Sequence, residues 1–440
     1  MYKWLVTTFG VISFSFAPLS YANEPTSLSD IYQLAKKSDP LFLSSEASYL
    51  AEQQVNTQSW AAVLPQITLS AFRSNVEQDL KTTTTTNQNY DNDGYSLTIR
   101  QTLYRHADFV RVSQSTASVL KAQADFNLAK DNLILRVAES YFNVLAAKDN
   151  LNFNQSEYKA LSRRLLQSEQ KFDVGLIAIT DVHEARARHD QSAAQVITAK
   201  NQLQISLESL REITGQTHHD IKSLLNNIPL LTPEPNDIKE WVKLALNNNL
   251  ELMAAKQSMQ IAQDEVAIQR AGHYPTLDLV AERSHSNTGG GILGSRESDE
   301  TTLSLQFNLP LYEGGRVTSQ TTQARFQYTA AKQNFIQAQR STERLTRSGF
   351  LNVIATISQV QALQQAVVSS DKALETTQAG FEVGTRTTVD VLNSQRELYR
   401  AKKDYARARY DYLLETLRLK QAAGILADKD LKQISQWIQS

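Results

Sequence analysis

Phe172-Asp-Val-Gly-Leu-Ile-Ala-Ile-Thr-Asp-Val182 returns later in the chain as Phe381-Glu-Val-Gly-Thr-Arg-Thr-Thr-Val-Asp-Val391. Gly175 pairs with Gly384 and Asp181 with Asp390, both at an offset of 209 residues. The same register holds upstream, where Tyr141-Phe-Asn-Val-Leu-Ala meets Phe350-Leu-Asn-Val-Ile-Ala, Leu103-Tyr104 meets Leu311-Tyr312, and Leu64-Pro65-Gln-Ile-Thr-Leu meets Tyr274-Pro275-Thr-Leu-Asp-Leu. Offsets drift only from 208 to 210, and four separate blocks do not keep register by chance. The chain is an internal duplication, and its halves meet at the proline-rich stretch holding Pro229, Pro233 and Pro235.

Each half has one order of elements. An amphipathic helical stretch comes first, about Asp30 to Ala61 and about Asp237 to Arg270. Two strand-like stretches follow, Leu64–Phe72 with Tyr95–Leu103 and Thr276–Ala281 with Thr302–Leu311. They alternate with period 2, as in Ile67/Leu69/Ala71 and Leu303/Leu305/Phe307, and a polar loop separates them. One loop contains Thr82 to Thr86, the other Gly289 to Gly291. Next, Ala107 to Phe172 contains neither proline nor glycine, and apolar residues recur every seventh position at Val112, Val119, Phe126 and Leu133, with a second stripe at Leu128, Leu135 and Phe142. A helix of ~65 residues would be ~100 Å long at about 1.5 Å per residue, several times the width of a compact domain. Further stretches run over 180–213, 320–381 and 389–422, and Gly175 and Gly384 mark the turns between paired long helices.

Composition narrows the function classes. The chain has 45 basic and 46 acidic side chains and no cysteine. There is no basic stripe for nucleic acid and no thiolate chemistry. No cofactor or metal is expected. Lys3, the apolar run Leu5 to Leu19 and the small-x-small site Ser20-Tyr21-Ala22 predict a cleaved signal peptide, so that the mature chain begins near Asn23. No later apolar run approaches the roughly 20 residues a membrane helix needs. The expected organisation is a signal peptide over 1–22, a first repeat over 23–228, a joint over 229–236, a second repeat over 237–424 and a C-terminal segment over 425–440. Four strands cannot close a barrel, and an open sheet edge cannot sit in lipid. Strands that enter a membrane must therefore be pooled from several copies, and a duct needs more than the eight strands of two.

Gly175-Leu-Ile-Ala-Ile-Thr180-Asp181-Val, Tyr274-Pro275-Thr-Leu-Asp-Leu, Leu309-Pro310-Leu-Tyr312-Glu-Gly314-Gly315 and Val383-Gly384-Thr-Arg386-Thr-Thr-Val-Asp390-Val-Leu-Asn393 together resemble the TolC family, in order and over nearly the whole mature chain. The resemblance implies a mainly α fold with a membrane β-barrel. It implies a homotrimer with a twelve-helix tunnel and a twelve-stranded barrel in outer-membrane lipid, docked to a periplasmic adaptor protein and an inner-membrane pump of the RND, ABC or MFS type. The implied function is an exit duct for drug efflux or type I protein secretion. The family's closed periplasmic end implies gate links at Thr180, Asp181, Phe381 and Arg386, and helix-tip turns and adaptor contact at Gly175 and Gly384. Phe381 stands where the family often has tyrosine, and Arg164 where a glutamine is usual, offering Asp181 a second cation. The family's acidic constriction maps to Asp390, with Asn393 in place of a second acidic ring. The residues alone favour Asp390 as a helix cap after Gly384.

Other signals point elsewhere and weaken on inspection. Gly289-x-Gly291-x-x-Gly294 lies between strands, not between a strand and a helix. His183-Glu184 lacks its second histidine, since Ala187 stands there, and His218-His219 has no carboxylate cluster beside it. Tyr95, Tyr104, Phe72 and Tyr312 fit either an interfacial girdle or packing under a barrel rim. The alternative function is a periplasmic coiled-coil adaptor, against which the duplication and the lack of an anchor both argue. No nucleophile–base–orienter set supports an enzyme.

Overall fold

The computed structural model describes residues 27–81, 85–218, 220–225, 228–291 and 293–438. The signal-peptide stretch and His219 lie outside them. The chain runs α1 (Leu28–Ser38), α2 (Pro40–Ala61), β1 (Gln66–Lys81), β2 (Thr85–Arg105), α3 (His106–Asp173), α4 (Ile179–Thr214), α5 (Ile238–Asn248), α6 (Leu250–Arg270), a 3-10 turn (Ala271–His273), β3 (Thr276–Thr288), β4 (Arg296–Asn308), α7 (Arg316–Glu382), α8 (Thr388–Ala422) and α9 (Asp428–Ser435). Two helices, a hairpin and a long helix pair are thus written twice.

The first helical stretch of each half is broken where continuity was expected. Asp39 and Asn249 end one helix and cap the next: Asp39 Oδ2 accepts from the Phe42 amide at 3.1 Å and Asn249 Oδ1 from the Leu252 amide at 2.9 Å. Both side chains are buried. Asp39 also pairs with Arg136 of α3, and Asn249 donates to the Ala422 carbonyl at 3.0 Å. Each break therefore bends the chain and ties it to a long helix.

α3 and α7 contain 68 and 67 residues, roughly 100 Å each at about 1.5 Å per residue. α3 packs on α4, α7 on α8, and α3 also on α8. The buried seam recurs every seven residues, but through small side chains. In α3 it is Ala117, Ala124, Asp131, Ala138 and Leu145; in α4 it is Ala185, Ser192, Ala199, Ser206 and Ile213. Small residues let paired helices approach closely, and a strict seven-residue period winds them into a left-handed coil. Of the larger stripes expected from sequence, Leu133 and Phe142 are buried while Val112, Val119, Phe126, Leu128 and Leu135 are half-buried, a face the chain's own helices do not fully cover.

The large core lies at mid-length. Tyr141, Phe142 and Leu145 of α3 meet Tyr410, Leu413 and Leu417 of α8 there, with Leu28, Ile31 and Tyr32 of α1. The segment between the halves is strapped across this core. Tyr141 donates to the Lys222 carbonyl at 2.7 Å, and the Tyr412 hydroxyl accepts from the Leu231 amide at 2.8 Å. The C-terminal segment joins the same layer, with the Leu225 amide bonded to the Trp437 carbonyl at 2.9 Å.

The four strands form one antiparallel sheet in the order β1-β2-β3-β4. They outrun the apolar alternation: pairing continues to Lys81↔Thr85 in the first hairpin and Thr288↔Arg296 in the second, so much of each expected polar loop is ladder. Cross-strand partners share a face. Ile67↔Ile99, Leu69↔Leu97, Leu279↔Leu305 and Leu277↔Phe307 put one apolar band on one face, and its members Ile67, Leu69, Leu305 and Phe307 are exposed. Thr68, Ser70, Thr98, Ser304 and Gln306 occupy the other face. A register shift between Thr102 and Tyr104 pairs Tyr104 with Leu277, bringing that tyrosine onto the apolar face. Tyr95, stacked on His285 at 5.3 Å, bounds the band at its other end. Tyr95 to Tyr104 spans about 30 Å of strand at ~3.3 Å per residue, or about 21–24 Å when tilted by the roughly 35–45° of membrane barrels. Phe72 is not on the face of this band. It lies on the polar face across from Gly94, where an added Cβ would come within 2.9 Å of the Phe72 ring.

Among the described residues, no helix is long and apolar enough to cross a membrane.

Candidate functional site

The residues singled out from sequence converge at the helix ends farthest along the chain from the sheet, in the loops 174–178 and 383–387. One turn closes both loops. The Gly175 amide donates to the Phe172 carbonyl and the Leu176 amide to the Lys171 carbonyl, each at 2.8 Å. In the second half, the Gly384 amide donates to Phe381 at 3.1 Å and the Thr385 amide to Gly380 at 2.8 Å. This is the Schellman pattern. Gly175 and Gly384 both sit at φ +79°, a left-handed conformation that a Cβ disfavours.

The turns share a backbone and differ in chemistry. The first exposes Val174 (69 %) and Leu176 (71 %). The second exposes Val383 but continues into Thr385-Arg386-Thr387. Arg386 lies against Gly380, where an added Cβ would come within 2.8 Å of its Cγ. Its guanidinium forms no hydrogen bond or ion pair within the described part of the chain.

Asp390 is the third residue of α8. Its Oδ2 accepts from the Thr387 amide and hydroxyl, each at 2.9 Å, while the Thr387 hydroxyl accepts from the Asp390 amide at 3.2 Å. This reciprocal box is the helix cap that the residues alone allowed. The two bonds from Thr387 hold the Asp390 carboxyl below the usual carboxylate range, and Arg386 adds to the effect. The carboxylate remains solvent-accessible and ionised at neutral pH. Asn393 follows one turn later and is half-buried, while Val391 and Leu392 are buried and anchor that turn.

Thr180 and Asp181 begin α4. Thr180 is exposed and Asp181 half-buried. Within the described chain, Asp181 reaches neither Arg386 nor Arg164 as an ion pair. Arg164 instead places its guanidinium over the Phe381 ring, Cζ 4.1 Å from the centroid, and Lys171 Nζ lies 5.0 Å from the same ring. This contact joins α3 to the end of α7. Burial pushes the Arg164 pKa below arginine's ordinary value, with the Asp181 charge working against it. The sequence carried no sign of this pairing, because a cation and a ring more than 200 residues apart have no local signature.

The remaining motifs are absorbed by the structure. The Gly289–Gly294 stretch is a hairpin tip whose Gly289 amide bonds to the Asp91 carbonyl at 2.8 Å. Glu184 pairs with Arg188 one turn on, at 3.0 Å.

Comparison with known proteins gives the same architecture and a family. Residues 31–216 and 241–425 each match the family described as outer membrane efflux protein. The chain is 37% identical over 427 residues to the outer membrane protein TolC of Vibrio cholerae, covering 96% of both chains. It is 27% identical to the proteases secretion protein PrtF of Dickeya chrysanthemi, covering 94% of this chain and 91% of that one. The crystal structure of the outer membrane protein VceC from Vibrio cholerae superposes with a TM-score of 0.78 at 19% identity, over 90% of this chain and 96% of that one. Nothing in these matches supports the coiled-coil adaptor alternative. With both halves matched in order and a relative aligned nearly end to end, the chain belongs to the outer membrane efflux protein family.

Proposed function

We propose that three copies of this chain form a passive exit duct of the outer membrane, serving drug efflux, type I protein secretion, or both. One observation carries the reading: a single sheet with an exposed apolar band and two open edges is continued by helices of about 100 Å. Unpaired edge amides and carbonyls are prohibitive in hydrocarbon. The sheet is compatible with lipid only when β4 of one copy pairs with β1 of the next. Three copies supply twelve strands, wide enough for a lumen, and twelve long helices, counting the α3/α4 and α7/α8 pairs of each. No chemical step is assigned to the protein.

In this reading the helix tips form the periplasmic gate. Arg386 of one helix pair offers its planar set of donors to Asp181 and Thr180 of a neighbouring pair across the subunit boundary, and the Arg164–Phe381 contact fastens the pairs within one subunit. Asp390 lines the constriction from each copy, with Asn393 one turn further along. The tip turns at Gly175 and Gly384 meet a periplasmic adaptor protein, itself joined to an inner-membrane pump of the RND, ABC or MFS type. Adaptor contact shifts the gate by favouring the open arrangement. The family's description as outer membrane efflux protein and one relative's name, a proteases secretion protein, favour the two uses given.

The experiment is single-channel recording of detergent-extracted protein in a planar bilayer, with the mass of the assembly measured in parallel. A trimer of small, cation-preferring conductance is the expected result. A soluble monomer without channel activity would overturn the proposal.

A further inference from the structure

Beside the helix tips, α3 and the α7/α8 pair enclose a groove of about 820 Å³, within the range of small-molecule pockets. Its charge is one-sided. Lys159, Arg163, Arg164 and Lys171 line it from α3, Phe381 and Tyr399 line it from the other side, and Glu382 is the one acid among the lining residues. Arg164 supplies the second observation. Its Nε and Nη2 are buried and have no hydrogen-bond acceptor among the described residues. These two donors share one edge of the guanidinium, the edge that takes both oxygens of a carboxylate or sulfonate side by side. The face of the same group is already occupied by the Phe381 ring at 4.1 Å, and stacking through the face leaves the in-plane donors available. A buried donor pair without an acceptor is unfavourable by itself. The charge of Asp181 acts on this guanidinium, but the two form no ion pair.

We infer that this groove is a binding site for an amphipathic organic anion, with its acid group on the Nε–Nη2 edge of Arg164 and its apolar body against Phe381 and Tyr399. Lys159, Arg163 and Lys171 add long-range attraction. The apolar requirement follows from the two rings, and the single acid group from the single orphaned edge. Bound there, the anion bridges α3 to α7 and α8 and so favours whichever arrangement holds those helices together. The site stands on the groove's own chemistry and does not depend on the gate assignment. Its test is therefore a binding measurement rather than a conductance.

Isothermal titration of the full-length assembly in dodecyl maltoside with 2-naphthalenesulfonate is the test. Neutral 2-naphthylmethanol, inorganic phosphate and a glutamate-rich peptide serve as comparisons. Saturable binding of one sulfonate per chain is expected, weakened at least tenfold by Arg164→Gln and severalfold by Phe381→Leu. Asp181→Asn should tighten it, because a competing charge is removed. The assembly mass of each variant establishes that it has folded. Should Arg164→Gln fail to assemble, loss of wild-type binding with added salt and in Phe381→Leu decides instead. No saturable binding, or binding unchanged in Arg164→Gln, overturns the site. Equal binding of the neutral alcohol removes the anion requirement and of phosphate the apolar one, while stronger binding of the peptide reassigns the groove to a protein partner; each overturns the proposal.

Discussion

A guanidinium over a benzene ring and a carboxylate bonded to a phenol are different fasteners. The first needs no hydroxyl, is worth ~0.5–2 kcal/mol and survives small rotations of the ring. Phe381→Leu keeps the apolar volume but removes the ring quadrupole, so it is expected to raise single-channel conductance, whereas Phe381→Tyr should leave the Arg164 contact intact. Arg386→Ser and Asp181→Ala are likewise expected to raise conductance. If neither moves it, these two residues have no part in the gate. Asp390→Asn should abolish cation preference in reversal-potential measurements. Asn393→Asp, adding a carboxylate one turn on, should deepen block by divalent cations. A different residue sets the response to pH. Asp131 of α3 is buried, and desolvation raises its carboxyl to about 7, with Lys130 opposing and Asp428 and Asp430 reinforcing. Between about pH 4 and 7 the folded chain therefore keeps a proton that the unfolded chain has lost. Stability from this group is full at the acid end, declines as pH rises to about 7, and is flat beyond. Asp131→Asn should flatten that slope in thermal inactivation measured across this range.

At the scale of elements, the paired caps at Asp39 and Asn249 are the joints where each half turns onto its long helix. Removing an N-cap costs about 0.5–2 kcal/mol. Asn249→Ala should shorten the half-life of the assembly at elevated temperature about fivefold for each ~1 kcal/mol lost from the barrier, and Asp39→Ala by more, because Arg136 then loses its partner. The sheet makes a directional prediction of its own. Leu305→Arg places a charge on the apolar band at a cost of about 2–4 kcal/mol near the midplane and should deplete the protein from the outer-membrane fraction, whereas Ser304→Arg on the opposite face should not. Much of this was legible in the sequence. Long helices without proline, period-2 strands and the glycine turns are local patterns, and duplication doubled each signal. The helix breaks were missed because Asp39-Pro40 and Asn249 interrupt no apolar stripe. The strands were read too short because pairing beyond Phe72 rests on backbone bonds between polar residues such as Asn75 and Asp91, which carry no alternation. The seam of α3 was misplaced because alanine registers weakly in a search for large apolar residues, though close packing favours it. The Arg164 contact joins distant parts of the chain and has no local sign at all.

At the scale of the whole molecule, the duplication places two nearly equivalent helix pairs in every subunit, and the pairs have diverged at their tips: Leu176-Ile-Ala-Ile on one, Thr385-Arg-Thr-Thr on the other. An apolar tip suits attachment to a partner, and a polar tip suits a lock that can be undone. Exchanging 176–179 with 385–388 should therefore disturb adaptor-dependent export and resting conductance together, measured as drug susceptibility and as bilayer current. The two open edges of the sheet have a consequence for inheritance. Because β4 must find β1 of another copy, each subunit contributes both a socket and a plug to a closed ring, and one faulty edge leaves the whole ring unsealed. A cell making intact and edge-defective chains in equal amounts would complete only about one ring in eight by random mixing of three. Lesions on β1 or β4 should thus be dominant over a normal copy of the gene, while lesions that merely unfold the chain before it meets its neighbours should be recessive.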